Sequence, residues 1–337
     1  MSQKNDGVFW THNDSGDENK IYAFNQDGQH LGEYYLENCS ARDWEDMAVG
    51  PGPENGENYL YIGEIGDNSA QYDLKYVYRV KEPALNNNQS PENEILENVD
   101  IIAFQYEDGN RDAETLMIDS ITNDIFIVSK RESFVQVYRL PYPQSTESIN
   151  QAELVGSLDI YPNENQEGND FGFVVAGDIS SDGTEILLKT YAHIFHFSWD
   201  SDGGIMSALS NEPFQVEYQL EPQGEAVAWH PDGFGYFTLS EELFSIPTHL
   251  YFYPRIVGCM NSESDNYNPY ALEDDGTCAD STLLGDVNAD GVINVLDVVM
   301  LIDFILNSEY IVLGDLNGDG NMDILDVVLL VNIILGE

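Results

Sequence analysis

The sequence predicts a mainly β chain: a five- to six-bladed β-propeller whose first unit lacks its first strand, then a Cys-bracketed spacer and a small α-helical module. Three observations predict this. Through residues 1–253, short runs rich in Val, Ile, Tyr and Phe alternate with Gly, Asn, Asp and Pro clusters, the pattern of strands and turns. Within those runs one acid-led pattern recurs. Beyond residue 280 come two apolar stretches of helical length, each led by an Asp- and Asn-rich loop. The divisions expected are 1–253 for the propeller, 254–280 for the spacer and 281–337 for the helical module.

The recurring pattern reads "DWEDMAV" at 43–49, "DAETLMI" at 112–118 and "QGEAVAW" at 223–229, with a weaker copy, "AGDISSD", at 176–182. Each copy is followed by a strand-like run, such as "YLYIGEIGDN" or "DIFIVSKRE", and two more runs usually follow. A repeating four-strand unit is what a propeller blade requires. The opening unit, from Gly7 to Glu37, has the later strands without the first. Residues 1–30 contain no apolar run of leader-peptide type. Together these predict a start inside a domain, with a lost N-terminus.

Charge narrows the function classes. Asp+Glu is 61 against 12 Lys+Arg, a formal net charge of −49. Such a chain is repelled by nucleic-acid phosphates and by anionic membrane surfaces, so neither is an expected partner. No apolar stretch is long enough to span a bilayer. Residues 256–337 contain sixteen acids and no Lys or Arg. Solubility accounts for scattered acids, whereas concentrated ones invite bound cations. Cys259 and Cys278 bracket a short acidic segment and read as a disulfide of an oxidising compartment, leaving Cys39 as a buried free thiol. Within that spacer, Asp265, Asn266, Asn268, Asp274 and Asp275 form a candidate calcium site.

The most specific motif is a duplicated loop. Residues 286–297 read "DVNADGVINVLD" and residues 315–326 read "DLNGDGNMDILD". Both follow EF-hand spacing, in which alternate residues of a tightly wound loop turn oxygens inward to meet calcium's need for six to eight ligands. The first loop offers Asp286, Asn288, Asp290, the Val292 carbonyl, Asn294 and Asp297. The second offers Asp315, Asn317, Asp319, the Asn321 carbonyl, Asp323 and Asp326. Gly291 and Gly320 fall at the sharp turn, and Ile293 and Met322 are placed to anchor each loop to the core. Two calcium ions are expected. Loop-then-helix duplicates closing on Asp resemble a type I dockerin over residues 285–335. That resemblance implies a cohesin partner on a scaffold or cell surface, an extracellular or surface-attached location, and a polysaccharide- or polymer-degrading assembly. It also implies cohesin contacts at Val295, Leu296, Ile324 and Leu325, where many dockerins carry Ser or Thr.

In the propeller, the repeated acids Glu45, Glu114, Asp178 and Glu225 fall at corresponding strand positions and would converge on one axis. Asp46, Glu64, Asp67 and Asn68 lie nearby, as do Lys130, Arg131 and Lys189 at the ends of second strands. Crowded carboxylates repel unless a cation or proton sits among them, so a third, channel calcium is expected. The alternative is that these acids bond backbone amides or bases between blades. The motifs "WTHNDSGD", "DWEDMAVGPG", "GEIGDN" and "DAETLM" resemble a family of secreted bacterial propellers distantly related to calcium-dependent phytase-like and esterase-like propellers. Two readings follow. One is a non-catalytic binding or display propeller, taking a small molecule or glycan, with Trp10, Trp44 and Trp229 available to stack on a sugar. The other is a calcium-dependent hydrolase of phosphoesters, esters or glycosides, in which Glu45, Asp46, Glu114 and Glu225 serve as ligands or general base to a metal-activated water. No G-x-S-x-G elbow supports a serine hydrolase.

Overall fold

Strands form where residues alternate between buried and solvated faces. In Lys20–Asn25 every second residue is buried. In Ala113–Ile118 all six are, because both faces of that strand are covered. The structure is a computed structural model that describes all residues except 133, 161–172, 201–202, 212, 244, 263, 265, 269–270, 279–282, 289 and 337. The chain divides into two compact units, Met1–Arg255 and Ile256–Glu337.

The first unit is built from successive antiparallel sheets. The opening blade contains β1 (Val8–Thr11), β2 (Lys20–Asn25) and β3 (His30–Leu36). The second contains β4 (Asp46–Pro51), β5 (Asn58–Glu64) and β6 (Lys75–Lys81), then an excursion, β7 (Glu92–Leu96), before its outer strand β8 (Asp100–Tyr106). The excursion pairs in parallel with β3 and covers the outer edge of the opening blade. The third blade runs β9 (Ala113–Ile118), β10 (Ile125–Ser129), β11 (Val135–Leu140) and β12 (Asn150–Leu158). Because β12 pairs in parallel with β8, these two blades share one eight-stranded sheet ordered β4-β5-β6-β8-β12-β11-β10-β9. The fourth comprises β13 (Val174–Ile179), β14 (Glu185–Thr190), β15 (Ile194–Ser198), a short helix α1 (Ile205–Leu209) and β16 (Phe214–Val216). The fifth comprises β17 (Gly224–Trp229), β18 (Gly235–Ser240) and β19 (Tyr251–Pro254). The inner strands β4, β9, β13 and β17 pack one against the next in that order. This is a propeller arrangement of five blades among the described residues.

The core is divided among the interfaces between blades. One cluster joins Trp10, Ile21, Trp44, Leu60 and Tyr78, a second Tyr61, Phe104, Leu116, Ile127 and Tyr138, and a third Met117, Val128, Leu188, Phe197 and Trp199. Trp10, Trp44 and Trp229 are 7%, 1% and 4% exposed, so they serve packing, and Trp44 offers no face to a sugar. Cys39 is half-buried and free, with burial raising its thiol to about 12.

In the second unit, β20 (Val257–Gly258) and β21 (Glu273–Asp274) pair in parallel, and the Cys259–Cys278 disulfide closes the segment. Two helices follow, α2 (Val295–Asn307) and α3 (Ile324–Leu335), around a core of Val287, Leu301, Val327 and Leu330. Ile293 and Met322 pack against that core, as expected of loop anchors. Among the described residues no helix is long and apolar enough to cross a membrane.

Polar contacts also tie the blades together. On β14, Glu185 accepts a hydrogen bond from His196 at 2.9 Å and is paired with Arg255, which follows the fifth blade. Burial pushes the Glu185 carboxyl up, but these two partners outweigh it and hold it below the ordinary carboxylate value. The stabilisation is therefore present above the unfolded carboxylate value of about 4.3 and is lost as pH falls through the depressed one. Glu185→Gln should lower stability by about 1–3 kcal/mol at pH 7. Urea unfolding at several pH values should show that gap hold down to about pH 4 and narrow below it, as the wild type loses the same interaction.

Candidate cation sites

Two inner strands carry a glutamate at a bulge, and a third has one immediately before it. In β9 the register shifts between Ala113 and Thr115, leaving Glu114 as the extra residue against β10. In β17 the shift between Gly224 and Ala226 does the same for Glu225. Glu45 stands just before β4, where its N–H donates to Gly63, the residue opposite Asp46. A bulge turns its extra side chain out of the alternating pattern, here toward the end of the blades where second strands finish. The equivalent bulged residue in β13 is Val175. Asp178 therefore does not occupy the position expected for it, because the sequence match slipped by three residues.

Asp46 and Asp178 do a different job. Asp46 Oδ2 accepts the Leu116 N–H at 2.8 Å, and Asp178 Oδ2 accepts the Trp229 N–H at 2.8 Å. Each stitches its inner strand to the next blade's. Burial drives Asp46 well above the usual carboxylate range and Asp178 to about 6. Glu64 is held by Ser40, Tyr78 and Arg42. Asp67 forms a buried ion pair with Lys75 at 2.9 Å, and its N–H donates to Asp112 at 2.7 Å. Asn68 meets Arg131, which also pairs with Asp112. Lys189 is wholly buried against Tyr218 and the Gly224 carbonyl, and burial lowers it to about 8.

At the mouth of the axis the structure assembles Asp14, Asp43 and Glu45, with carboxylate oxygens all within 4.8 Å of one another. Beside them Lys130 bonds Glu114 and, at 3.2 Å, Tyr191, whose hydroxyl donates to Glu225. Burial raises the Asp14 and Asp43 carboxyls and takes Glu45 to about 11, with Glu114, Asp14 and Asp43 adding repulsion. Burial likewise lifts Glu241, with repulsion from Glu225. Such a set needs a proton or a cation to persist. Gly66 forms its floor: a Cβ there would lie 2.1 Å from Glu45 Oε1 and 2.6 Å from Asp43 Oδ2.

Asp14, Asp43, Tyr191 and Glu241 were not singled out from sequence. A signal for two of them existed, since Lys130, Tyr191 and Glu241 all directly follow a second strand. Asp14, Glu45, Glu225 and Glu241 also line a cavity of about 640 Å³ that continues along the axis.

The duplicated loops repeat one another in their main-chain bonds to carboxylates. Asp286 accepts the N–H groups of Asp290 and Gly291 at 3.1 and 2.8 Å, and Asp297 those of Asn288 and Asn294 at 3.1 and 2.8 Å. Asp315 accepts from Asp319 and Gly320 at 3.2 and 2.9 Å, and Asp326 from Asn317 and Asp323 at 3.2 and 2.8 Å. Asn294 and Asp323 cap the helices and form reciprocal capping boxes with Asp297 and Asp326. Gly291 and Gly320 have φ of 81° and 80°, the left-handed turn that glycine permits. Asp286, Asp297, Asp315 and Asp326 are buried, yet residues 256–337 contain no Lys or Arg. Buried carboxylates without a base demand a metal cation, and the oxygen-only donor set fits calcium. Residues 284–335 match the family model of the dockerin type I domain. The C-terminal segment is a type I dockerin. A dockerin binds calcium and engages a cohesin. On this one, Val295, Leu296, Ile324 and Leu325 are 64%, 58%, 66% and 56% exposed.

In the Cys-bracketed segment, Asp275 is engaged by Thr277 and Asp274 by the Gly276 N–H, while Asp265 lies outside the described residues. No curated protein matches the chain. Among solved structures it distantly resembles two proposed 6-phosphogluconolactonases. The one from Bacteroides fragilis NCTC 9343 is 13% identical with a TM-score of 0.38, covering 74% of this chain and 64% of its own. The one from Bacteroides uniformis ATCC 8492 is also 13% identical with a TM-score of 0.38, covering 69% of this chain and 60% of its own. The chain thus spans less than two thirds of either protein's length.

Gly66→Ala should push Glu45 and Asp43 apart and cost about 1–3 kcal/mol by overpacking. Thermal unfolding of the full chain should show that loss, with the dockerin transition unchanged.

Proposed function

We propose that the chain is a calcium-bound propeller displayed outside the cell, docked through its C-terminal module to a cohesin-bearing scaffold or surface of a polymer-degrading assembly. The observation that carries the propeller part of this reading is the mutual approach, within 4.8 Å, of the Asp14, Asp43 and Glu45 oxygens. Those residues come from two blades, so one divalent ion there would join the opening blade to the second. Each dockerin loop would hold a further ion, giving three in all. Val295, Leu296, Ile324 and Leu325 would meet the cohesin. Their apolar character favours a cohesin face that is itself apolar, in place of one built to bond Ser or Thr hydroxyls.

Native mass spectrometry of the full chain in calcium should count three tightly bound ions. Glu45→Gln should leave two, and Asp297→Ala should also leave two. Two ions in the wild type, with none lost on Glu45→Gln, would remove the propeller site and leave the dockerin reading intact.

A further inference from the structure

The two dockerin loops differ at a position that calcium ligation leaves open. In the first loop Asn288 is followed by Ala289, and in the second Asn317 is followed by Gly318. An Asn–Gly peptide is chemically weak, because glycine has no side chain to screen its nitrogen from the asparagine's own side-chain carbon. The chain contains this dipeptide twice, at Asn55–Gly56 and at Asn317–Gly318. Both pairs are exposed, and the glycines hold left-handed φ values of 81° and 68°. The first pair lies in the turn between β4 and β5, the second inside a ligand loop.

The closed loop holds Asn317 against reaction with its neighbour. Its Oδ1 accepts the Asp319 N–H at 2.8 Å, its Nδ2 donates to Asp319 Oδ2 at 3.1 Å, and its own N–H donates to Asp326 at 3.2 Å. With both ends of the side-chain amide engaged, Cγ turns onto the Gly318 nitrogen only when the loop opens. The cation is what keeps the loop closed. Asp315 and Asp326 are buried, and residues 256–337 contain no Lys or Arg to neutralise them. Without a metal these carboxylates repel one another and the loop loses its fold.

We propose that Asn317 is a calcium-guarded deamidation site, whose conversion makes the loss of calcium from the second loop irreversible. The proposal rests on the dockerin's calcium and is independent of the propeller ion. In the opened loop the Gly318 amide gives up its proton to solvent, and its nitrogen bonds to Asn317 Cγ. The Cγ–Nδ2 bond breaks, and ammonia leaves with a proton returned by solvent. Water then opens the cyclic imide at either of its carbonyl carbons. Attack at Cγ leaves an ordinary aspartate, which still satisfies the ligand pattern. Attack at the main-chain carbon leaves isoaspartate and reroutes the backbone through the side chain, lengthening it by a carbon. That extra carbon falls inside the turn that Asp315 spans to reach the N–H groups of Asp319 and Gly320. The lengthened loop cannot close on its ion.

The full chain is incubated in parallel in calcium and in chelator, and conversion at each Asn–Gly pair is read by peptide mass spectrometry, with isoaspartate resolved by chromatography. Because conversion needs the open loop, calcium at about a hundredfold over its Kd should slow it at Asn317 by about a hundredfold. Asn55 should convert at the same rate in both conditions. Gly318→Ala gives the second loop the Asn–Ala of the first, and its Cβ would meet nothing within 4 Å. It should slow conversion in chelator by about tenfold. Returned to calcium, the isoaspartate fraction should hold one ion fewer than fresh chain by native mass spectrometry, whereas the Gly318→Ala chain should regain its full count. Equal rates at Asn317 with and without calcium would overturn the proposal. So would an Asn317 left intact in chelator after Asn55 has converted, or an isoaspartate fraction that rebinds every ion. The ion count of fresh chain tests the calcium reading by itself, so the two fail separately.

Discussion

A carboxylate removed from water must meet a base, a set of amide hydrogens, a proton or a metal ion. Among the described residues twelve acids are buried, and only Glu64, Asp67, Asp112 and Glu114 form ion pairs with a base. The bases this chain has are placed at joints. Lys75 neutralises Asp67 inside the second blade, Arg131 pairs with Asp112 at the next, and Arg255 reaches back to Glu185. Backbone amides take Asp46 and Asp178. Two groups among the rest gather several oxygens with too few bases or with none, the one at the mouth of the axis and the one in the dockerin loops. The same constraint, applied twice, produces the two kinds of cation site.

The propeller architecture explains how the mouth is assembled. Each blade buries both faces against its neighbours, so inner strands carry few outward positions for polar side chains. A bulge at the start of the strand breaks the alternation and frees one side chain to point along the axis. Glu114 and Glu225 use it directly. Second strands run antiparallel to first ones, so their ends arrive at the same place and bring Lys130, Tyr191 and Glu241. Gly66 completes the floor because any side chain there would collide with Glu45 and Asp43.

Much of this was legible in the residues. The dockerin was fully written in its two loops, because calcium ligation fixes residue type at fixed intervals and leaves little freedom. The strand-and-turn texture gave the blades, and the acid repeat located two of the three bulged positions together with Glu45, just before β4. It placed Asp178 wrongly because β13 carries Val175 at the bulge, and an acid three residues later imitated the pattern. Asp14 and Asp43 escaped notice for another reason. Asp14 sits in a loop that no period marks, Asp43 heads the repeat in the place Asp112 holds, and only the folding of two blades against each other brings the two together. Asp46 looked like part of the site and is instead a stitch between strands, a distinction that depends on which backbone amide lies across the interface.

The most direct test of the claim that metal ions replace the missing bases is calorimetric unfolding of the full chain at pH 7, with saturating calcium and with chelator. The account predicts that chelation abolishes the transition of the dockerin unit, whose buried acids have amide hydrogens but no Lys or Arg of that unit to neutralise them. It also predicts that the propeller transition falls by about 5–10 °C, the loss expected for one tightly held ion. Identical thermograms in both conditions would contradict it.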